Sequence, residues 1–346
     1  MSINRILFYV AFAAGLCRDG IPGGESGICP VAGRFDAGAG ICYDTVVLES
    51  VEKERLRMAD HRILLSADTP CDIGGELKER YAVSLFPLHI FLDDKQYTDG
   101  VDISPEALYA AWREKKLLPR TAAINPEEYV AYFTPFLDQG FDIFHISLGS
   151  GLSSCYQNAK AAAELLSDRG RICVLDSCSL STGFGLLVCE AGERIKRGMP
   201  IEQIYREVQP LSLKTSASFV LDTLEFLHAG GRCSGLAHLS ADMLSIKPTI
   251  LVRNAQQGSM TVGKKYLGKL DRALLKYVDE QLKGRTDIVL DRVFITFSTI
   301  EDRQAEAVKK RVLELQPFSE VFITHASCTV SAHCGPNTLG VLFLTK

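Results

Sequence analysis

The chain has 346 residues, of which 47% are hydrophobic and 23% charged, and it carries a net charge of −4. That length is a soft prior for about two domains, and the apolar content is enough for full cores. The weakly acidic balance and a lone Trp exclude the basic, aromatic-lined footprint of a nucleic-acid binder.

Residues 1–60 differ in texture from the rest. Ile6 to Leu16 is an apolar run behind Arg5, too short to span a bilayer and nearer the length of a signal-peptide core. Leu16 stands where a lipoprotein-type cleavage ahead of Cys17 would want a small residue. Asp19 to Cys42 is glycine-rich with few aliphatics, a composition that packs poorly. The expectation is a poorly ordered N-terminal extension over 1–60, with no stable membrane insertion.

From His61 strands and helices alternate. Arg62 to Leu65 reads as a strand entering a polar turn, Ser66 to Pro70, and Gly75 to Tyr81 as a short helix. Ser84 to Phe91 reads as a strand in which Pro87 marks an edge or a bulge. Ser104-Pro105, with Asp102 and Glu106 nearby, is a helix start with Ser104 as N-cap, running to about Lys116. Pro119 to Pro126 reads as a loop fenced by prolines, with Thr121 its one hydroxyl, and Glu127 to Asp138 as a helix.

The stretch Phe141 to Leu166 has a distinctive pattern. Phe141 to Ile146 is apolar and strand-forming, Leu148 to Ser154 is small and hydroxylic, and Tyr156 to Leu166 carries Ala and Leu at helical spacing. Such a strand, turn and helix entry aims free N–H groups and the positive end of the helix dipole at one spot, where an anion fits. Ser153 or Ser154 is the N-cap, and either hydroxyl can also donate to a bound oxygen. Spelling excludes two alternatives. A nucleotide P-loop needs Gly-Lys-Ser/Thr, and no Lys occurs between Gly149 and Asn158; a nucleophile elbow needs Gly-x-Ser-x-Gly, and Gly151-Leu152-Ser153-Ser154 runs into Cys155.

Arg171 to Asp176 is a further strand, and Ser177 to Ser181 with Gly183 and Gly185 opens a close-packed helix to Arg197. The alternation implies a mainly parallel sheet with helices on both faces and ligands at the carboxyl ends of its strands. Beyond Pro200 come a helix over 201–211, a strand over 215–220 and a helix over 222–232 closed by paired glycines. Leu239 to Leu244 then leads into a strand, Ile246 to Val252, with Met260 to Val262 as its hairpin partner. A helix over 269–282, a strand over 292–297 and an exposed helix over 301–315 follow, then strands over 321–325 and 340–344 around Ser331 to Asn337. The division is an N-terminal α/β domain, 61–212, and a C-terminal α/β domain, 213–346. The 11 cysteines are scattered and never spaced as Cys-x-x-Cys, which points to reduced thiols and a cytoplasmic protein. Cys328 and Cys334 flank His333 at a spacing that matches no common metal site.

Seven short matches, in order from Ile63 to Leu344, make the chain resemble the DegV family. They are the Asp68-to-Asp72 turn, Tyr97-x-Asp99-Gly100-x-Asp102-Ile103-Ser104, Leu152-Ser153 with Tyr156-Gln157, and Asp176-Ser177. Asp222-Thr223-Leu224-Glu225-x-Leu227 with Gly230-Gly231-Arg232, Ile246-Lys247-Pro248, and His333-x-Gly335-Pro336 with Gly340 complete the set. The resemblance implies two α/β domains of the DegV type with one long-chain fatty acid, such as palmitate or oleate, between them and no further cofactor. It implies a bacterial binding protein and not an enzyme, one that presents the carboxylate to a separate ATP-using fatty acid kinase subunit for acyl phosphate formation. Carried over motif by motif, the carboxylate ligands are Thr121, Ser153 and His333, with Ser154, Gly335 and Asn337 in the supporting turns. Lys264 and Lys265 fall near a basic patch that the family turns toward its kinase partner, and Gly230-Gly231-Arg232 reads as a helix stop with a surface Arg.

The chain departs from the family pattern at three places. Ala122 replaces a Ser, Ser154-Cys155 replaces Gly-Thr, and Asn337 replaces a Gly, the residue it follows most closely in tolerating positive φ. Two other classes of function stay open. One is a serine-type lipid esterase or acyltransferase, with Ser153 as nucleophile, His333 as base and Asp176 or Asp222 as the third acid. The other is a degenerate DegV-like scaffold protein.

Overall fold

The computed structural model describes residues 62–234 and 246–346. The N-terminal extension and the Leu239 to Leu244 approach lie outside the described residues. Four strands, β1 (Arg62–Asp68), β2 (Ser84–Phe86), β6 (Phe141–Ser147) and β7 (Ile172–Asp176), make a parallel sheet in the order β2-β1-β6-β7. Every residue of β6 after Phe141 is buried. Continuous burial without alternation is what a parallel strand covered on both faces requires.

A small antiparallel sheet stands beside the first: β3 (His89–Leu92) lies between β4 (Lys95–Thr98) and β5 (Arg120–Ala122). The stretch Ser84 to Phe91 is thus two strands in two sheets. Pro87 lacks the N–H that a ladder needs, and the chain changes sheets there. Pro119 to Pro126 is also more ordered than a loop, since β5 pairs with β3 and sets Thr121 opposite Ile90.

The second large sheet is mixed. It is built from β8 (Thr215–Ser216), β9 (Ser218–Val220), β10 (Cys233–Ser234), β11 (Ile246–Arg253), β12 (Ser259–Leu267), β13 (Ile288–Phe297), β14 (Glu320–His325) and β15 (Leu339–Thr345). Its order is β10-β12-β11-β9-β15-β13-β14, with β8 also on β15; pairing is parallel at the two ends and antiparallel between. The single strand expected over 215–220 is broken at Ala217 into β8 and β9.

The helices are α1 (Gly74–Arg80), α2 (Pro105–Lys115), α3 (Pro126–Asp138), α4 (Cys155–Leu165), α5 (Ser181–Lys196), α6 (Ile201–Val208), α7 (Glu225–Gly230), α8 (Leu270–Leu282), α9 (Asp302–Leu315) and α10 (Cys328–Cys334). Helix α2 starts as its sequence demands: Ala107 N–H donates to Ser104 Oγ at 3.4 Å behind Pro105. Helix α5 packs against β1 of the first sheet and β13 and β15 of the second. Its glycines also let it lie against the turn after β1, for a Cβ at Gly185 would stand 2.5 Å from the Cys71 carbonyl oxygen. Helix α10 corrects the expectation of a plain connection over Ser331 to Asn337. It puts His333 on a helical face, and Gly335 (φ 76) and Asn337 (φ 57) make the turn that ends it. No helix among the described residues is long and apolar enough to cross a membrane.

Candidate functional site

The carboxyl ends of β1, β6 and β7 open onto one cavity of about 290 Å³, whose wall includes Pro70, Leu148, Leu152, Ser153 and Leu180. The turn after β6 is held there by its backbone. Leu148 N–H donates to Asp68 Oδ2 (2.9 Å), Gly149 N–H to the Ser179 carbonyl (2.9 Å), Ser150 N–H to Asp176 Oδ1 (3.1 Å) and Gly151 N–H to the Gln257 carbonyl (2.8 Å). A Cβ on Gly149 or Gly151 would meet the Gln257 carbonyl oxygen at 2.9 Å. Only glycine lets the turn lie against the β11–β12 connection so closely.

This turn delivers Ser153 and Ser154 to the cavity at the start of α4. Ser154 occupies the N-cap position without capping through its side chain, and it is exposed. Ser153 does the local bonding instead: its Oγ accepts from Cys155 N–H at 3.2 Å and lies 3.2 Å from Cys155 Sγ, to which it donates. A hydroxyl is a rotor, so its proton can exchange a weak sulfur acceptor for a stronger anionic one.

Across the cavity, Thr121 on β5 and His333 on α10 meet, with Oγ1 and Nε2 2.8 Å apart. Burial, and then the neighbouring Arg232 cation, push the His333 pKa down to about 4, so the ring is neutral at pH 7. Its Nδ1 is closed off from solvent without a partner. A proton there would be an unsatisfied buried donor, so the favoured tautomer carries it on Nε2 and donates it to Thr121 Oγ1. The Thr121 hydroxyl proton is then available to an acceptor in the cavity.

Thr121, Ser153, Ser154 and His333 therefore line one cavity, and Ala122 lines it with them. Gly335 and Asn337 do not line it. Asn337 Nδ2–H donates to Asp222 Oδ2 (2.9 Å), while Asp222 Oδ1 pairs with Lys247 (2.6 Å), so three separated sequence motifs lock the end of α10. Arg232, read from sequence as a surface residue, also lines the cavity, its guanidinium donating to the Gly230 carbonyl at 2.5 Å. Its signal was its place directly after the αL glycine that stops α7, from which the chain enters β10 beside β12. The rest of the wall is mostly aliphatic, with Leu88, Met260 and Val330, and a separate void of about 20 Å³ lies on the other side of Leu180, Val330 and Cys334, which line both.

The two candidate third acids of a serine hydrolase have partners of their own: Asp176 accepts from the N–H groups of Ser150 and Cys178, and Asp222 holds Lys247 and Asn337. Lys264 pairs with Glu280 at 2.8 Å.

Residues 62–346 match the family model described as "Uncharacterised protein, DegV family". A DegV domain-containing protein of Caldanaerobacter subterraneus subsp. tengcongensis is 30% identical over 287 residues, 82% of this chain and 99% of that one. Among solved structures, a Thermus thermophilus DegV family protein described by its fatty acid binding is 26% identical, with a TM-score of 0.72 over 82% of this chain and 100% of its own. A Ruminococcus gnavus DegV family protein, solved with vaccenic acid, shares the fold at 24% identity and a TM-score of 0.72, again over 82% of this chain and 100% of its own. The mixed α/β architecture, the ordered motifs and these matches agree: the chain belongs to the DegV family.

Proposed function

We propose that this protein binds one long-chain fatty acid, with the carboxylate at Thr121, Ser153 and His333 and the tail along the aliphatic wall. The observation that carries the reading is the cavity itself, lined by Thr121, Ser153 and His333 and otherwise mostly by aliphatic side chains. A carboxylate there accepts from the Thr121 and Ser153 hydroxyls, and the amino end of α4 adds roughly 0.3 to 2 kcal/mol through its dipole. Arg232 supplies a cation at the rim. Each methylene removed from water contributes about 0.8 kcal/mol, so the tail supplies most of the affinity. The solved Thermus thermophilus relative, described by its fatty acid binding, supports the same conclusion.

On this reading the protein is a cytoplasmic carrier without turnover, and 61–212 and 213–346 are its two domains. It presents the carboxylate to a separate ATP-using fatty acid kinase subunit, which forms acyl phosphate. Native mass spectrometry of the purified protein, followed by lipid extraction, tests the binding. A stoichiometric C16 or C18 acid is expected, with palmitate affinity reduced at least tenfold in His333→Ala and Ser153→Ala. An empty protein that takes up neither palmitate nor oleate would reject the reading, and unchanged affinity in both variants would reject the site.

A further inference from the structure

We infer that Asp72 and Asp99 are positioning residues for the carboxylate site: together they hold the start of α10 and so fix His333 against Thr121. The inference rests on the fatty-acid reading above.

Helix α10 is Cys-Thr-Val-Ser-Ala-His-Cys, seven residues with β-branched and polar side chains prominent among them. A segment so short and so poor in helix formers does not hold a helix by itself. Its free N–H groups are all captured. Ser327 N–H donates to Asp72 Oδ1 (2.9 Å), Cys328 N–H to Asp99 Oδ1 (2.8 Å), Thr329 N–H to Asp99 Oδ2 (3.2 Å) and Val330 N–H to Ser327 Oγ (3.3 Å). Thr329 Oγ1–H adds a 2.6 Å bond to Asp99 Oδ2.

Both acids belong to the first half of the chain, more than 220 residues from their partners. They are 6% and 2% exposed, and each is held from behind: Ser181 Oγ–H donates to Asp72 Oδ2 (2.6 Å) and Thr69 Oγ1–H to Asp99 Oδ2 (3.0 Å). Two buried carboxyl groups, each anchored by a hydroxyl behind it, are acceptors fixed in place. They fix both the depth of α10 and its rotation about its own axis, because three consecutive N–H groups must meet two fixed carboxylates. The face set in this way presents Thr329, Val330 and, one turn further on, His333 to the cavity. The Asp68-to-Asp72 turn and the Tyr97-to-Ser104 stretch, which contribute little to the cavity wall, thus serve the site through the helix.

The test compares wild type with Asp99→Asn, Asp72→Asn, His333→Ala and the Asp99→Asn/His333→Ala double variant. Titration uses palmitate and hexadecanol, which share a tail but differ in the headgroup. We expect Asp99→Asn to weaken palmitate about tenfold, to leave hexadecanol within twofold, and to add nothing in the His333→Ala background. Equal losses for both ligands, or losses that add to those of His333→Ala, would make Asp99 merely structural and overturn the inference. A second measurement needs no ligand: the ring signals of His333 by NMR. They shift in both Asp variants if α10 turns, and unchanged signals in both overturn the inference even where palmitate binding itself fails. If Asp99→Asn does not fold, Asp72→Asn carries both measurements.

Discussion

Gly230 ends α7 beneath the imidazole of His333, and replacing it with Ala is a direct probe of that ring. The backbone there is not in the left-handed region, so Ala fits locally and its helix propensity alone would stabilise by roughly 0.5 to 1 kcal/mol. The space is the obstacle: a Cβ would stand 2.3 Å from His333 Nδ1 and 3.1 Å from Cε1. Overpacking of this kind costs about 1 to 3 kcal/mol, and pushing the ring off Thr121 forfeits a hydrogen bond worth about 0.5 to 1.5 kcal/mol. These effects net to a destabilisation of roughly 0.5 to 4 kcal/mol, centred near 2, which for a protein of this size lowers Tm by several degrees. Calorimetry and palmitate titration should show both a lower Tm and an affinity reduced about tenfold. Gly231→Ala is the control, because its φ of +66° strains any side chain while its Cβ would meet nothing. That variant should lose stability and keep its affinity. A Gly230→Ala protein with wild-type affinity, or a Gly231→Ala protein with the same loss, would refute the account of the His333 ring.

Other expectations follow from the same geometry. Gly151→Ala sets a Cβ 2.9 Å from the Gln257 carbonyl oxygen, which is backbone and cannot rotate away; the turn bearing Ser153 must shift, and palmitate affinity should fall while hexadecanol affinity changes less. Asp72 is raised from 3.8 to about 7, first by burial and against the hydrogen bonds it accepts. The native state then holds the extra proton between about pH 4 and 7, so this group's contribution to stability is present at the acid end and lost as pH rises through 7. Denaturant titration should show that slope in wild type and not in Asp72→Asn; equal slopes would contradict it. His333, lowered from 6.5 to about 4, acts in the opposite sense, its contribution present above pH 6.5 and lost as pH falls toward 4, and His333→Ala should remove that acid-side loss.

Much of this was legible in the sequence wherever the cause is local. The turn after β6 announces itself through its small residues, α2 through Ser104-Pro105, and the hairpin of β11 and β12 through two strand-like runs. The positive φ of Asn337 follows from its replacing a glycine. What escaped has distant causes. Helix α10 has little propensity of its own and exists because Asp72 and Asp99 receive its N–H groups. Strand β5 is three residues long and is a strand only because β3 lies beside it. Arg232 is exposed, as its sequence setting suggests, but its place on the cavity depends on how α7 and α10 pack.

The position of β15 has a consequence for how the protein is made. This strand, residues 339–345, lies in the interior of the second sheet, between β9 and β13. The first sheet draws its strands from residues 62–176 and can assemble while synthesis is still under way. The second cannot close until β15 has emerged, so β9 and β13 wait with an unpaired edge each. During that interval nascent chains expose apolar surface and free strand edges, the features that recruit chaperones or promote aggregation. A pause or truncation just before residue 339 is thus expected to yield a half-assembled protein with a sound first sheet and no working cavity, degraded or aggregated rather than partly active.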